Sequence, residues 1–111
     1  MSIIKMIDFR NGVVEHNEFS IDFSQPFEDQ IDELREDLLQ VRYLRDGNAY
    51  VVDVGWYPES QFHDGAGLMI FVVVNQDWTN PIFRKKCRTE REFLDVINEA
   101  IDMSSQKKTL C

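Results

Sequence analysis

Cysteine is scarce, occurring only at Cys87 and Cys111 and without a CxxC spacing, which excludes a disulfide scaffold and a thiolate zinc cluster. Two reduced thiols are expected, with a bridge between them the lesser alternative. Apolar runs are short as well. The longest, Leu68 to Val74, has seven residues, against roughly 20 for a membrane-spanning helix. The first residues carry no signal-peptide pattern, so a cytoplasmic protein away from the membrane is expected. Bases are outnumbered, with 12 Lys and Arg against 20 Asp and Glu and a formal net charge of −8. Such a surface repels phosphate backbones and anionic lipid, which argues against direct nucleic-acid binding and for a cationic partner.

Catalytic signatures are missing too. The chain has no GxSxG elbow, no GxxxxGK[ST] loop, no GxGxxG turn and no HExxH pair. His16 and His63 therefore read as surface residues, and no cofactor is expected. Gly65-Ala66-Gly67 precedes a strand rather than opening a helix, so it offers no helix N-terminal amides to a phosphate. A metal-dependent enzyme using Asp53, Asp64 or Asp77 stays open as an alternative, because these acids lie among aromatic residues.

What remains is a chain of 111 residues, 43% of them apolar, long enough for one hydrophobic core and too short for two. Residues 1–103 are expected to form a single α+β domain, and 104–111, where the periodicity is lost, a frayed tail. Ile3 to Phe9 and Val13 to Phe23 flank Asn11-Gly12, which predicts a β-hairpin. Ser24 is placed to cap a helix in which Phe27, Ile31, Leu34, Leu38 and Val41 make one apolar stripe, ending near Arg45. Asn48 to Tyr57 alternates as a strand, with Val52, Val54 and Trp56 on one parity, and Pro58 stops it. The run from Leu68 to Val74 is apolar on both parities, as expected of the sheet's middle strand, where Phe71→Asp should unfold the chain. Ile82 to Arg88 predicts a further strand. Thr89 and Glu92 form a capping box that opens a helix with Phe93, Ile97, Ala100 and Ile101 on its apolar side. The expected architecture is thus a mainly antiparallel sheet of about five strands with two helices, in the order ββαβββα.

Charge is unevenly spread along this order. Residues 11–34 hold seven acids and no Lys or Arg, residues 46–83 hold five acids and no base, and five bases gather at Arg84, Lys85, Lys86, Arg88 and Arg91. The uncompensated acids can steer a cationic partner. The large rings of Trp56, Tyr57 and Trp78, beside loops, are of the kind that anchors protein interfaces, with core or sheet-edge packing the equal alternative.

Val52-Asp53-Val54-Gly55-Trp56-Tyr57-Pro58-Glu59, Asp77-Trp78-Thr79-Asn80-Pro81-Ile82 and the helix from Glu90 to Ile101 resemble small bacterial immunity proteins of polymorphic toxin systems, particularly contact-dependent growth inhibition. The resemblance covers roughly the C-terminal half and brings no catalytic residue with it. It implies a protein that binds and neutralises the C-terminal effector domain of a cognate toxin, commonly a nuclease, whose cationic substrate-binding surface suits an acidic inhibitor. The residues expected at that contact are Asp29, Glu33, Glu36, Asp37, Trp56, Tyr57, Glu59, Asp64, Asp77 and Trp78. A small acidic adaptor or regulatory subunit binding another basic protein is the alternative.

Overall fold

Alternation decides the sheet. In Leu39-Gln40-Val41-Arg42-Tyr43 every second side chain is wholly buried, and Val52, Val54 and Trp56 continue the same face on the next strand. The computed structural model describes residues 3–63 and 65–105. It contains five strands, β1 (Val13–Asn17), β2 (Leu39–Arg45), β3 (Asn48–Tyr57), β4 (Gly67–Val74) and β5 (Phe83–Cys87), followed by the helix α1 (Glu90–Ser104). The strands form one antiparallel sheet in the order β1-β2-β3-β4-β5. The chain has an α+β fold.

One face of the sheet is covered. Phe93, Ile97, Ala100 and Ile101 of α1 pack with Val41, Val52, Val54, Ile70 and Val72 in a single core. The helix begins as expected at Thr89, whose hydroxyl accepts from the Glu92 N–H at 3.1 Å. The Glu92 carboxylate accepts from the Arg88 N–H, one residue before the cap. At its far end α1 is tied down by Arg45, which donates to Met103 O and to the Tyr50 hydroxyl, and by Arg10, which donates to Asp102 and Ser105. Ser104 and Ser105 are buried, while 106–111, including Cys111 and any bridge to it, lie outside the described residues.

The class and the strand number follow the expectation; the first half of the chain does not. Ile3–Met6 is a 3-10 turn, not a strand. Arg10, at φ 56°, turns the chain into β1, and β1 pairs with β2 rather than with the preceding segment. The expected helix from Ser24 to Arg45 is instead two 3-10 turns over Phe27–Glu33, broken at Gln30, followed by an extended crossing and β2. Ser24 donates to Asp22 Oδ1 and caps nothing. The physical reason is that Leu39, Val41 and Tyr43 bury fully as a strand paired with β3, and this tertiary pairing outweighs the helical spacing of the same apolar residues. Asp46 and Gly47, both at positive φ (53° and 81°), make the β2–β3 hairpin turn.

The sheet's middle strand is β3, with β4 beside it. Phe71 is on the face away from α1 and only partly buried, so Phe71→Asp does not reach the core; its neighbour Ile70, wholly buried, is the core position.

Candidate functional site

Among the described residues, the face of the sheet opposite α1 carries no helix. Strand register runs one row of side chains straight across it: His16 on β1, Gln40 on β2, Asp53 on β3, Phe71 on β4 and Arg84 on β5. A bulge between Val14 and His16 resets β1 so that His16 joins this row. Toward the end of β3 the same face continues with Tyr57, Met69 and Lys86.

Residues 34–38 cross over that end of the sheet. Leu34 and Leu38 point into the core, while Arg35, Glu36 and Asp37 are exposed. The crossing is held by main-chain bonds: Trp56 N–H to Arg35 O at 2.7 Å, Leu38 N–H to Val54 O at 3.0 Å and Ser60 N–H to Leu34 O at 2.6 Å. Gly55 makes the approach feasible, since a Cβ there would stand 1.8 Å from Glu36 O. Glu59 Oε1 accepts from the Glu36 N–H, bringing a third carboxylate to the same corner.

Between this corner and β5 lies an open groove of about 430 Å³, with Glu36, Tyr57 and Pro58 on one wall, Met69 and Phe71 among its lining, and Arg84 and Lys86 opposite. The Tyr57 and Phe71 rings meet in a T-shaped contact, centroids 5.7 Å apart. Burial pushes the Tyr57 hydroxyl up to about 12, and the carboxylates of Asp53, Glu36, Asp37 and Glu59 add to the shift. Four acids therefore act on one ring. A smaller hollow of about 260 Å³ is lined by His16, Asp37 and Gln40.

Asp53 is the most unusual residue on this face, an acid only 4% exposed. Burial raises its pKa to about 6; the Gln40 amide, donating at 3.0 Å, opposes the rise, Asp37 adds to it and His16 lowers it. A carboxyl so placed changes charge near neutrality, and its energy depends on which cation approaches.

The residues expected at a contact surface divide sharply. Glu36, Asp37, Tyr57 and Glu59 come together at this corner. Asp29 and Glu33 lie on the 3-10 segment, which packs through Phe27 against Trp56 and Phe62 on the α1 side. Trp56 is 0% exposed and its indole donates to Gln61 O at 2.7 Å, so it is a core residue and not a surface anchor. Asp77 accepts from Thr79 in the β4–β5 turn, beside Trp78, which is 49% exposed. That turn follows Val74, three ladder positions past Phe71 and so about 10 Å or more from the Asp53 row. Asp53 and Asp77 do not share a site, and Asp64 lies outside the described residues. Among the described residues no group of three or more His, Cys, Asp or Glu could hold a metal ion, and no helix is long and apolar enough to cross a membrane.

Sequence reading missed Gln40, Met69, Phe71, Arg84 and Lys86 as members of this face. The signal for Gln40 was its alternation with Leu39 and Val41. No family model, curated protein or solved structure matches the chain.

Proposed function

We propose that the chain is a binding protein that neutralises a cationic protein, as an immunity protein neutralises the effector domain of its cognate toxin, and that the open sheet face is its contact surface. The observation that carries this reading is the convergence of Asp53, Glu36, Asp37 and Glu59 on Tyr57, at the mouth of a groove lined by Met69 and Phe71. Exposed carboxylates accelerate encounter with a basic surface, and partly buried aromatic rings slow release. A nuclease domain offers such a basic surface because it must hold a polyanion. Arg84 and Lys86 on the far wall restrict the orientation a partner can take.

The test is capture by the full chain from producing cells at low ionic strength, followed by assay of the captured protein with and without the chain. Inhibition of a cationic partner's activity, weakened when Glu36, Asp37 and Glu59 are replaced by Lys, supports the reading. A partner of acidic surface, or binding abolished by Arg84→Glu with Lys86→Glu and indifferent to the acidic substitutions, overturns it.

A further inference from the structure

We propose that the open face contains a seat for one arginine side chain of the partner, with the guanidinium bonded to the Asp53 carboxylate and stacked against the Phe71 and Tyr57 rings. This rests on the reading of that face as a protein-contact surface and adds the chemistry of its anchor.

The first ground is that Asp53 is buried and has no ion-pair partner among the described residues. Gln40 is its one side-chain hydrogen-bond partner among the described residues, meeting Oδ1 alone, and Asp53 takes part in none of the described ion pairs. A carboxylate has about four acceptor positions, and Oδ2 meets no hydrogen-bond donor among the described residues. Buried carboxylates are ordinarily paired, because an unpaired charge in a low-dielectric surrounding is costly.

Among the described residues, the bases nearest this face are engaged elsewhere or out of reach. Arg42 pairs with Glu15 at 2.9 Å, Arg35 lies 3.7 Å from Glu18, and Lys86 donates to Gly65 O. Arg84 is two strands away, across Phe71.

The second ground is the apolar surface beside the carboxyl. Phe71 is the register partner of Asp53, so the ring and the carboxyl stand next to each other on one face, and Tyr57 closes against that ring. A carboxylate beside aromatic faces suits a planar cation that donates in its plane and stacks through its faces. Arginine meets both requirements, and the compact, strongly hydrated ammonium of lysine meets them less well. The surrounding carboxylates of Asp37, Glu36 and Glu59 bias the field toward a cation before contact.

The charged and titratable groups facing Asp53 are His16 on β1, Arg42 on β2, Tyr57 on β3, Glu36 and Asp37 on the crossing, and Arg84 and Lys86 on β5. β4 contributes no titratable group to this face, only the apolar side chains of Met69, Phe71 and Val73. Seating a guanidinium favours the ionised carboxyl, so the Asp53 midpoint should fall when the seat is filled.

The probe is an acetylated, amidated Gly-Ser peptide carrying one central arginine, with lysine and citrulline versions as comparisons. It is titrated into isotopically labelled full chain while the Asp53 carboxyl and Phe71 ring resonances are followed by NMR. The arginine peptide should shift both saturably and lower the Asp53 midpoint by about half a unit or more. Lysine should bind several-fold more weakly and the neutral citrulline not measurably. Asp53→Asn should weaken arginine binding about tenfold. Phe71→Leu, which keeps an apolar side chain and loses the ring, should weaken it several-fold, and Glu33→Gln, on the α1-side segment, should not. Equal shifts from citrulline, arginine affinity unchanged in both Asp53→Asn and Phe71→Leu, or shifts confined to another surface each overturn the seat. The two readings fail separately. A cationic protein inhibited equally by wild type and Asp53→Asn removes the seat and leaves the inhibitor, whereas a saturable arginine seat on a chain that inhibits no cationic protein does the reverse.

Discussion

Replacing Asp53 by Asn should stabilise the protein, and the size of the gain should depend on pH. Folding raises the Asp53 pKa from 3.8 to about 6, roughly two units at about 1.36 kcal/mol each, which sets a ceiling of about 3 kcal/mol. The sign follows from proton binding. The folded state holds the proton more tightly, so the penalty is absent below the unfolded pKa, grows as pH rises, and is complete above about pH 6. Asn preserves the acceptor for the Gln40 amide and carries no charge, but its own amide group must also be desolvated. The expected net gain at pH 7.5 is therefore about 1–2 kcal/mol, or roughly 5–10 °C in Tm; at pH 5 the carboxylate penalty is smaller by about 1.4 kcal/mol while the amide cost is unchanged, so the gain should fall close to zero. Urea titrations followed by the fluorescence of the buried Trp56 provide the measurement, with the variant compared with wild type at each pH so that other titrations cancel. A destabilised Asn variant at pH 7.5, or a difference independent of pH, refutes the account of Asp53 as an ionised group held at a cost. Confirmation would show that the chain carries a destabilising charge on the very face proposed for contact.

Other positions test other parts of the structure. Tyr43 is wholly buried and its hydroxyl has no hydrogen-bond partner among the described residues, so Tyr43→Phe should leave stability unchanged or raise it by about 1 kcal/mol, read from the denaturant midpoint. Gly55→Ala places a methyl on Glu36 O. It should cost about 3 kcal/mol or more and loosen the protection of the Trp56 and Leu38 amides in hydrogen exchange, and normal protection would show that the crossing does not depend on close approach. Ile70→Asp should abolish cooperative unfolding by circular dichroism while Phe71→Asp retains it, because the two side chains point to opposite faces. Replacing Glu36 and Asp37 by Lys should slow association with a cationic partner and flatten its salt dependence with little change in dissociation, which stopped-flow rates at two ionic strengths will separate.

The second half of the chain was legible because its signals do not compete. Val51 to Tyr57 alternates and ends at Pro58, Leu68 to Val74 is apolar on both parities, and Thr89 with Glu92 announces α1. The segment from Phe27 to Arg45 carries two periods at once. Ile31, Leu34, Leu38 and Val41 satisfy a helix, while Leu39, Val41 and Tyr43 satisfy a strand, and only pairing with β3 decides between them. Trp56 shares a parity with Val52 and Val54, which already assigned it to the core; its size and its place beside a loop suggested a surface anchor instead. Glu36, Asp37, Tyr57 and Glu59 could be named from the sequence, but their convergence depends on a crossing whose one local trace is a glycine in mid-strand. Phe71 and Arg84 join them only through register.

The crossing at Gly55 also bears on how specificity could change over generations. Its bonds to β3 run from backbone to backbone, and the side chains at positions 36 and 37 make no hydrogen bond or ion pair to β3 among the described residues. Mutation can exchange those two letters, reversing or erasing their charge, without altering the path of the chain beneath them. Selection for a new partner can act there on recognition alone, whereas a change at Gly55 would alter the platform itself.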